Sequence, residues 1–154
     1  MAPGFARALV FAIVLAFVLE LGLSGSSIGP VAYAATVGTV ESKAIRATVQ
    51  RQFDAFDRDD AASAFAQASS TARERFGTPE RFMEMVKTQY QAVYRRRSVI
   101  FTDIEQVDGL TIQSVRVTDA DDRVWVALYQ MQREADGQWR ILGCQLLETR
   151  SVST

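Results

Sequence analysis

The chain has 154 residues, with 17 basic and 18 acidic side chains, no histidine and one cysteine, for a formal charge of −1. That near balance, with no clustered basic face, argues against a nucleic-acid partner, which would need a basic surface to release counterions from phosphates. The absent histidine excludes Ser-His-Asp and Cys-His catalysis and disfavours zinc or haem centres, and the lone Cys144 closes no intramolecular disulfide.

Arg7 precedes the apolar run Ala8 to Leu19, and Pro30 leads on to Ala32-Tyr33-Ala34. A basic start, a short apolar stretch and a small-residue site form the pattern of an export signal. Glu20 closes the run after twelve residues, short of the ~20 that a permanent transmembrane helix needs. We therefore expect residues 1–34 to be a signal peptide cleaved after Ala34, with an uncleaved anchor as the alternative. The product would be periplasmic or secreted, with no stable membrane insertion. Removing Arg7 and Glu20 leaves the charge at −1, and the remaining length suits one domain.

Residues 35–40 carry no pattern and read as a flexible lead into a single α+β domain over 41–150. From Glu41 to Phe56, the residues Ile45, Thr48, Val49, Gln52, Phe53 and Phe56 recur with helical period. Asp59 or Asp60 can cap a shorter helix bearing Ala61, Ala64, Phe65 and Ala68. Thr71-Ala72-Arg73-Glu74 has capping-box spacing for a further turn that Gly77 ends. Thr78-Pro79-Glu80 then starts a long helix through Phe82, Met85, Val86, Tyr90, Val93 and Tyr94, closed by Arg95, Arg96 and Arg97.

After Ser98, β-branched and aromatic residues dominate, and breaks at Asp108-Gly109, Asp119 to Asp122 and Asp136-Gly137 divide the chain into four strands. Their expected spans are Arg97 to Gln106, Leu110 to Thr118, Arg123 to Glu134 and Gln138 to Glu148. Connections this short impose an antiparallel meander. On the third strand Val124, Val126 and Leu128 face one way and Trp125, Ala127, Tyr129 and Met131 the other, and both sets are apolar enough to be covered. The expected architecture is N-terminal helices packed on a curved four-stranded antiparallel sheet. Cys144, between Leu142 and Leu146, reads as a buried strand residue.

The runs Asp59-Asp60-Ala61-Ala62, Phe76-Gly77-Thr78-Pro79-Glu80, Phe82-Met83-Glu84-Met85-Val86, Val93-Tyr94-Arg95-Arg96-Arg97-Ser98-Val99 and Gly143-Cys144-Gln145-Leu146-Leu147-Glu148 carry a resemblance. Over about Ile45 to Glu148 the chain resembles an exported bacterial family, domain-of-unknown-function family 4864, similar in layout to the nuclear-transport-factor-2-like fold. The resemblance implies a cone in which sheet and helices enclose a cavity, and it brings no known activity. The family pattern carries a proline where this chain has Arg96, a departure expected to make the helix end more flexible and more basic.

Enzymes on such cones, including dehydratases and ketosteroid isomerases, project an acid or base into an apolar cavity. Asp54, Asp57, Asp103 and Glu105 are the carboxylates to consider here, with a solvated position the simpler reading of each. No catalytic residue, metal ligand or cofactor is assigned. Tyr90, Tyr94, Trp125 and Tyr129 could line a pocket with Arg97 at its mouth, although core packing explains the aromatic set and the helix dipole explains the arginines. Three functions follow in order: a non-enzymatic module binding a small apolar or anionic ligand, a scaffold forming a homodimer through an exposed sheet face, and a lyase or isomerase using a buried carboxylate.

Overall fold

A computed structural model of the protein describes residues 37–149. The expected signal peptide and its cleavage point lie outside the described residues. Helix α1 spans Thr39–Asp57, starting within the stretch expected to be flexible. Its stripe is the expected one, with Ile45, Thr48, Val49, Gln52, Phe53 and Phe56 all buried. Asp60, not Asp59, caps α2 (Ala61–Ala66), because its Oδ1 accepts from the Ser63 amide at 3.0 Å. Asp59 instead turns the chain in the left-handed region at φ 54°.

Helix α3 (Ser70–Phe76) departs from the capping-box reading. Its cap is Ser69, whose Oγ accepts from Ala72 N at 3.2 Å, which puts Thr71 inside the helix. The earlier start follows from tertiary pairing: Ile141 N donates to Gln67 O and Ser69 N donates to Ile141 O, each at 2.8 Å, fixing the backbone just before the helix. Gly77 ends it with φ +79°, a left-handed turn that favours glycine. Helix α4 (Pro79–Gln89) begins as expected, with Thr78 accepting from Arg81 N and Pro79 in the first turn.

The long helix expected through Tyr94 is broken. At Tyr90 the backbone opens to φ −124°, ψ 38°, and a short α5 (Gln91–Tyr94) restarts beyond it. The Tyr90 hydroxyl donates to Cys144 O at 2.9 Å, so the side chain that continues the helical stripe is tied to the sheet. The break turns Ala92, Val93 and Tyr94 into the core.

The strands fall within a residue of expectation at each end: β1 is Ser98–Val107, β2 Leu110–Thr118, β3 Val124–Arg133 and β4 Trp139–Glu148, so the first, third and fourth start one residue late, the first ends one late and the third one early. They form one antiparallel sheet in the order β1-β2-β3-β4. Asp108 (φ 50°) and Gly109 (φ 78°) make the two-residue turn between paired Val107 and Leu110. Irregularities after Phe101 in β1 and at Gln130/Met131 opposite β4 interrupt the register.

Among the described residues helices cover one sheet face only, whereas the sequence suggested cover for both faces of β3. Trp125, Ala127, Tyr129 and Met131 are buried, whereas Val124, Val126 and Leu128 are only half-buried. The core joins the α1 stripe to Phe82, Met83, Val86, Val93, Val115, Val117, Tyr129 and Ile141. Among the described residues no helix is long and apolar enough to cross a membrane.

Candidate functional site

Alternation along each strand gives the helix-covered face its content, and register then sets which of its residues are neighbours. Ile104 pairs with Gln113, Gln113 with Tyr129, and Tyr129 with Cys144, so one row crosses all four strands. Two polar side chains thus occupy the middle of a largely apolar surface. Gln113 is 0% exposed and Tyr129 1% exposed.

Phe53 reaches this row from α1, its ring meeting the Tyr129 ring edge-on at 5.8 Å and the Phe101 ring at 6.2 Å. Arg96 closes the other side: its guanidinium carbon lies 4.3 Å from the Phe53 centroid, Nη2 donates to Asp57 Oδ2 at 2.9 Å, and Nη1 donates to Val93 O at 3.3 Å. The Arg96 side chain is only 7% exposed. The extra arginine is therefore held between an aromatic ring and a carboxylate rather than standing free at the helix end.

Gln113 Nε2 donates to Ser114 O at 2.8 Å and to Asp103 O at 3.2 Å, the latter offered where β1 loses register. Its Oε1 is buried with no hydrogen-bond partner, and so is the hydroxyl of Tyr129. The Cys144 thiol lies beside that hydroxyl, near enough for a weak sulfur–hydroxyl contact that bears on the ionisation of both groups, but it does not reach full hydrogen-bond geometry. Folded proteins pair nearly all such groups, since one left alone costs about 1–3 kcal/mol.

Burial, reinforced by Cys144, holds the Tyr129 hydroxyl well above its usual pKa, although Arg96 pulls the other way. The group is thus a neutral donor at physiological pH. Burial also pushes the Cys144 thiol up to about 12, against an opposing contribution from Tyr129. A thiol so rarely ionised is a poor nucleophile.

Of the residues named from sequence, Tyr90 and Tyr129 meet at Cys144: one bonds its carbonyl and the other pairs with it across β3 and β4. The others are held elsewhere. The Tyr94 hydroxyl bonds Asp59 while Arg95 lies 3.8 Å from its ring centroid and Lys87 5.4 Å. That bond from Tyr94, partly offset by burial and aided by Arg95 and Lys87, lowers the Asp59 pKa. Trp125 Nε1 donates to Asp119 Oδ2 at 2.9 Å. Arg97 is exposed and pairs with Asp122, so the arginine of the triplet facing the core is Arg96. Asp57, Asp103 and Glu105 are exposed, and half-buried Asp54 accepts from Gln50 at 2.8 Å.

Gln113 was missed from sequence, yet its phase was readable, since Thr111, Gln113, Val115 and Val117 alternate to one face. Comparison with curated proteins finds no match to the chain. The family model described as Domain of unknown function (DUF4864) matches residues 39–154, which takes in every element above, and the chain belongs to that family.

Proposed function

We propose that this chain is an exported, non-enzymatic domain that binds a small molecule on the helix-covered face of its sheet, at the row formed by Gln113, Tyr129 and Cys144. The single observation carrying this reading is the pair of unsatisfied buried atoms, Gln113 Oε1 and Tyr129 Oη. A ligand site is an apolar enclosure with a few polar groups aimed inward, and Phe53, Phe101 and Tyr90 supply the apolar surroundings. A helical layer over one face of an antiparallel sheet is also compatible with the nuclear-transport-factor-2-like cone. The export assignment rests on the signal pattern of residues 1–34.

Native mass spectrometry of the protein from the cells that make it tests the reading, with a retained non-protein mass as the expected result. Tyr129→Phe supplies the second arm. Because the ring's packing survives and only an unpaired hydroxyl is removed, we expect the ligand-free protein to gain about 1 kcal/mol while the retained mass is lost. A destabilised variant would mean that the hydroxyl is already satisfied within the fold, and the reading would fail.

A scaffold role is favoured by a separate observation, the sheet face that no helix among the described residues covers. Ile100 is 53% exposed, Val107 46%, Leu147 43% and Leu110 42%. Register places Ile100, Arg116, Val126 and Leu147 in one row across that face. Four strands of about ten residues span roughly 600 Å² in plane, near the ~800 Å² per partner of a standard interface. On this reading light scattering gives a homodimer that Val126→Lys converts to monomer; a monomer at all concentrations would dismiss it.

A further inference from the structure

Resting on the binding reading above, we infer that the ligand of the Gln113–Tyr129 row carries an uncharged head group bearing its own hydrogen-bond donor, an alcohol or a primary amide. The orientation of Gln113 decides this. Its amide nitrogen faces two carbonyl oxygens, of Ser114 at 2.8 Å and of Asp103 at 3.2 Å. Rotating the amide by half a turn would set oxygen against both carbonyls, so the nitrogen is fixed there and the free atom is the acceptor Oε1.

An acceptor is satisfied only by a group that brings a hydrogen. Carboxylates, sulfonates and fully ionised phosphates bring none, and each would set a negative oxygen against Oε1. Tyr129, directly opposite Gln113 across β2 and β3, offers the complementary hydroxyl. An alcohol or amide brings the donor that Gln113 lacks and also an acceptor of the kind the Tyr129 hydroxyl can use. An ammonium could also donate to Gln113, but a buried cation is costly without a paired anion, and the row of Ile104, Gln113, Tyr129 and Cys144 holds no carboxylate. An anion gains little from Arg96, because Asp57 already neutralises it at 2.9 Å. Of the apolar and anionic ligands expected from sequence, the geometry keeps the apolar class and gives it a neutral, donor-bearing head.

The test is calorimetric titration of the full chain at pH 8 with matched probes: octan-1-ol, octanamide, octanoate and methyl octanoate. Octanoate is ionised there and the ester has no donor. We expect the alcohol and the amide to bind about ten-fold tighter than the other two, as one buried hydrogen bond implies. Gln113→Met, close in shape but without the acceptor, should erase that preference. Should Gln113→Met fail to fold, the ranking of the four probes on the unaltered chain still decides the assignment.

Octanoate binding as tightly as the alcohol would overturn the head-group assignment and leave the binding reading intact. If no probe binds while native mass spectrometry shows a retained molecule, the assignment falls and the binding reading stands. If no probe binds and no mass is retained, both fall. A long-lived water detected by NMR at the Tyr129 hydroxyl, undisplaced by every probe, would mean a buried water only and would overturn the assignment.

Discussion

Phe53→Ala is expected to destabilise the domain by about 4 kcal/mol, toward the upper part of the range for removing a buried aromatic ring. Phe53 is 0% exposed and is held from three directions: the Tyr129 ring edge-on at 5.8 Å, the Phe101 ring at 6.2 Å, and the Arg96 guanidinium 4.3 Å from its centroid. Truncation would leave a cavity beneath a buried cation. The surroundings cannot close over it easily, because Phe101 on β1 and Tyr129 on β3 are each held by pairing to β2 and Arg96 is tied to Asp57. Urea unfolding should show a lower midpoint with an unchanged slope, and the thermal midpoint should fall by about 15 °C. Phe53→Leu, which refills most of the volume, should recover more than half of the loss. A change under about 1 kcal/mol for the alanine variant would refute the packing described for this residue.

The fold was more legible in the sequence than the site was. Period 3.6 from Ile45 to Phe56 and Asp-Gly at 108–109 are local signals, and local physics decides them: one face of a helix must be apolar, and a two-residue hairpin needs positive φ twice. The break at Tyr90 has no such signal. Val86, Tyr90 and Val93 continue the helical stripe across it without glycine or proline, and the bond from Tyr90 to the Cys144 carbonyl, 54 residues along the chain, is a tertiary fact. Ser69 displaced Thr71 as a cap for the same reason, through Ile141.

The apolar count of β3 could not reveal which face is covered, because Val124, Val126 and Leu128 match the buried set in hydrophobicity. Only the position of the helices distinguishes the two faces. The site shows the same division. Aromatic residues stood out by type, and two of the four came together, but Arg96 and Arg97 differ in role through backbone direction alone. Gln113 was hidden by its chemistry: a polar residue in phase with Val115 and Val117 is counted as a lapse in the pattern, although such lapses are where function is to be sought.

Asp119→Asn should cost about 3 kcal/mol, although it changes only one oxygen to nitrogen. Asp119 is 4% exposed and its two oxygens are fully used: Oδ1 accepts from the amides of Asp121 (2.9 Å) and Arg123 (3.0 Å), and Oδ2 accepts from Arg123 Nε and Trp125 Nε1, both at 2.9 Å. Asparagine can keep the first pair only by turning its NH₂ toward the second. Two donors would then face the indole N–H and the guanidinium, leaving a buried donor unpaired and Arg123 with only its longer, exposed pairing to Asp121 at 3.2 Å. Burial alone would raise the Asp119 pKa, but the bonds from Trp125, Arg123 and Asp121 and the charge of Arg123 outweigh it and hold the carboxyl below its usual value. A depressed folded-state value makes the contribution fully present above the unfolded pKa of about 3.9, and it is lost as pH falls through the lower folded value. Wild-type stability should therefore decline below about pH 4 more steeply than that of Asp119→Asn, and the two curves should converge in acid. Trp125→Phe removes one of the two opposing donors, so in a double-mutant cycle it should return part of the loss; additive costs would mean that the indole bond contributes nothing at this turn.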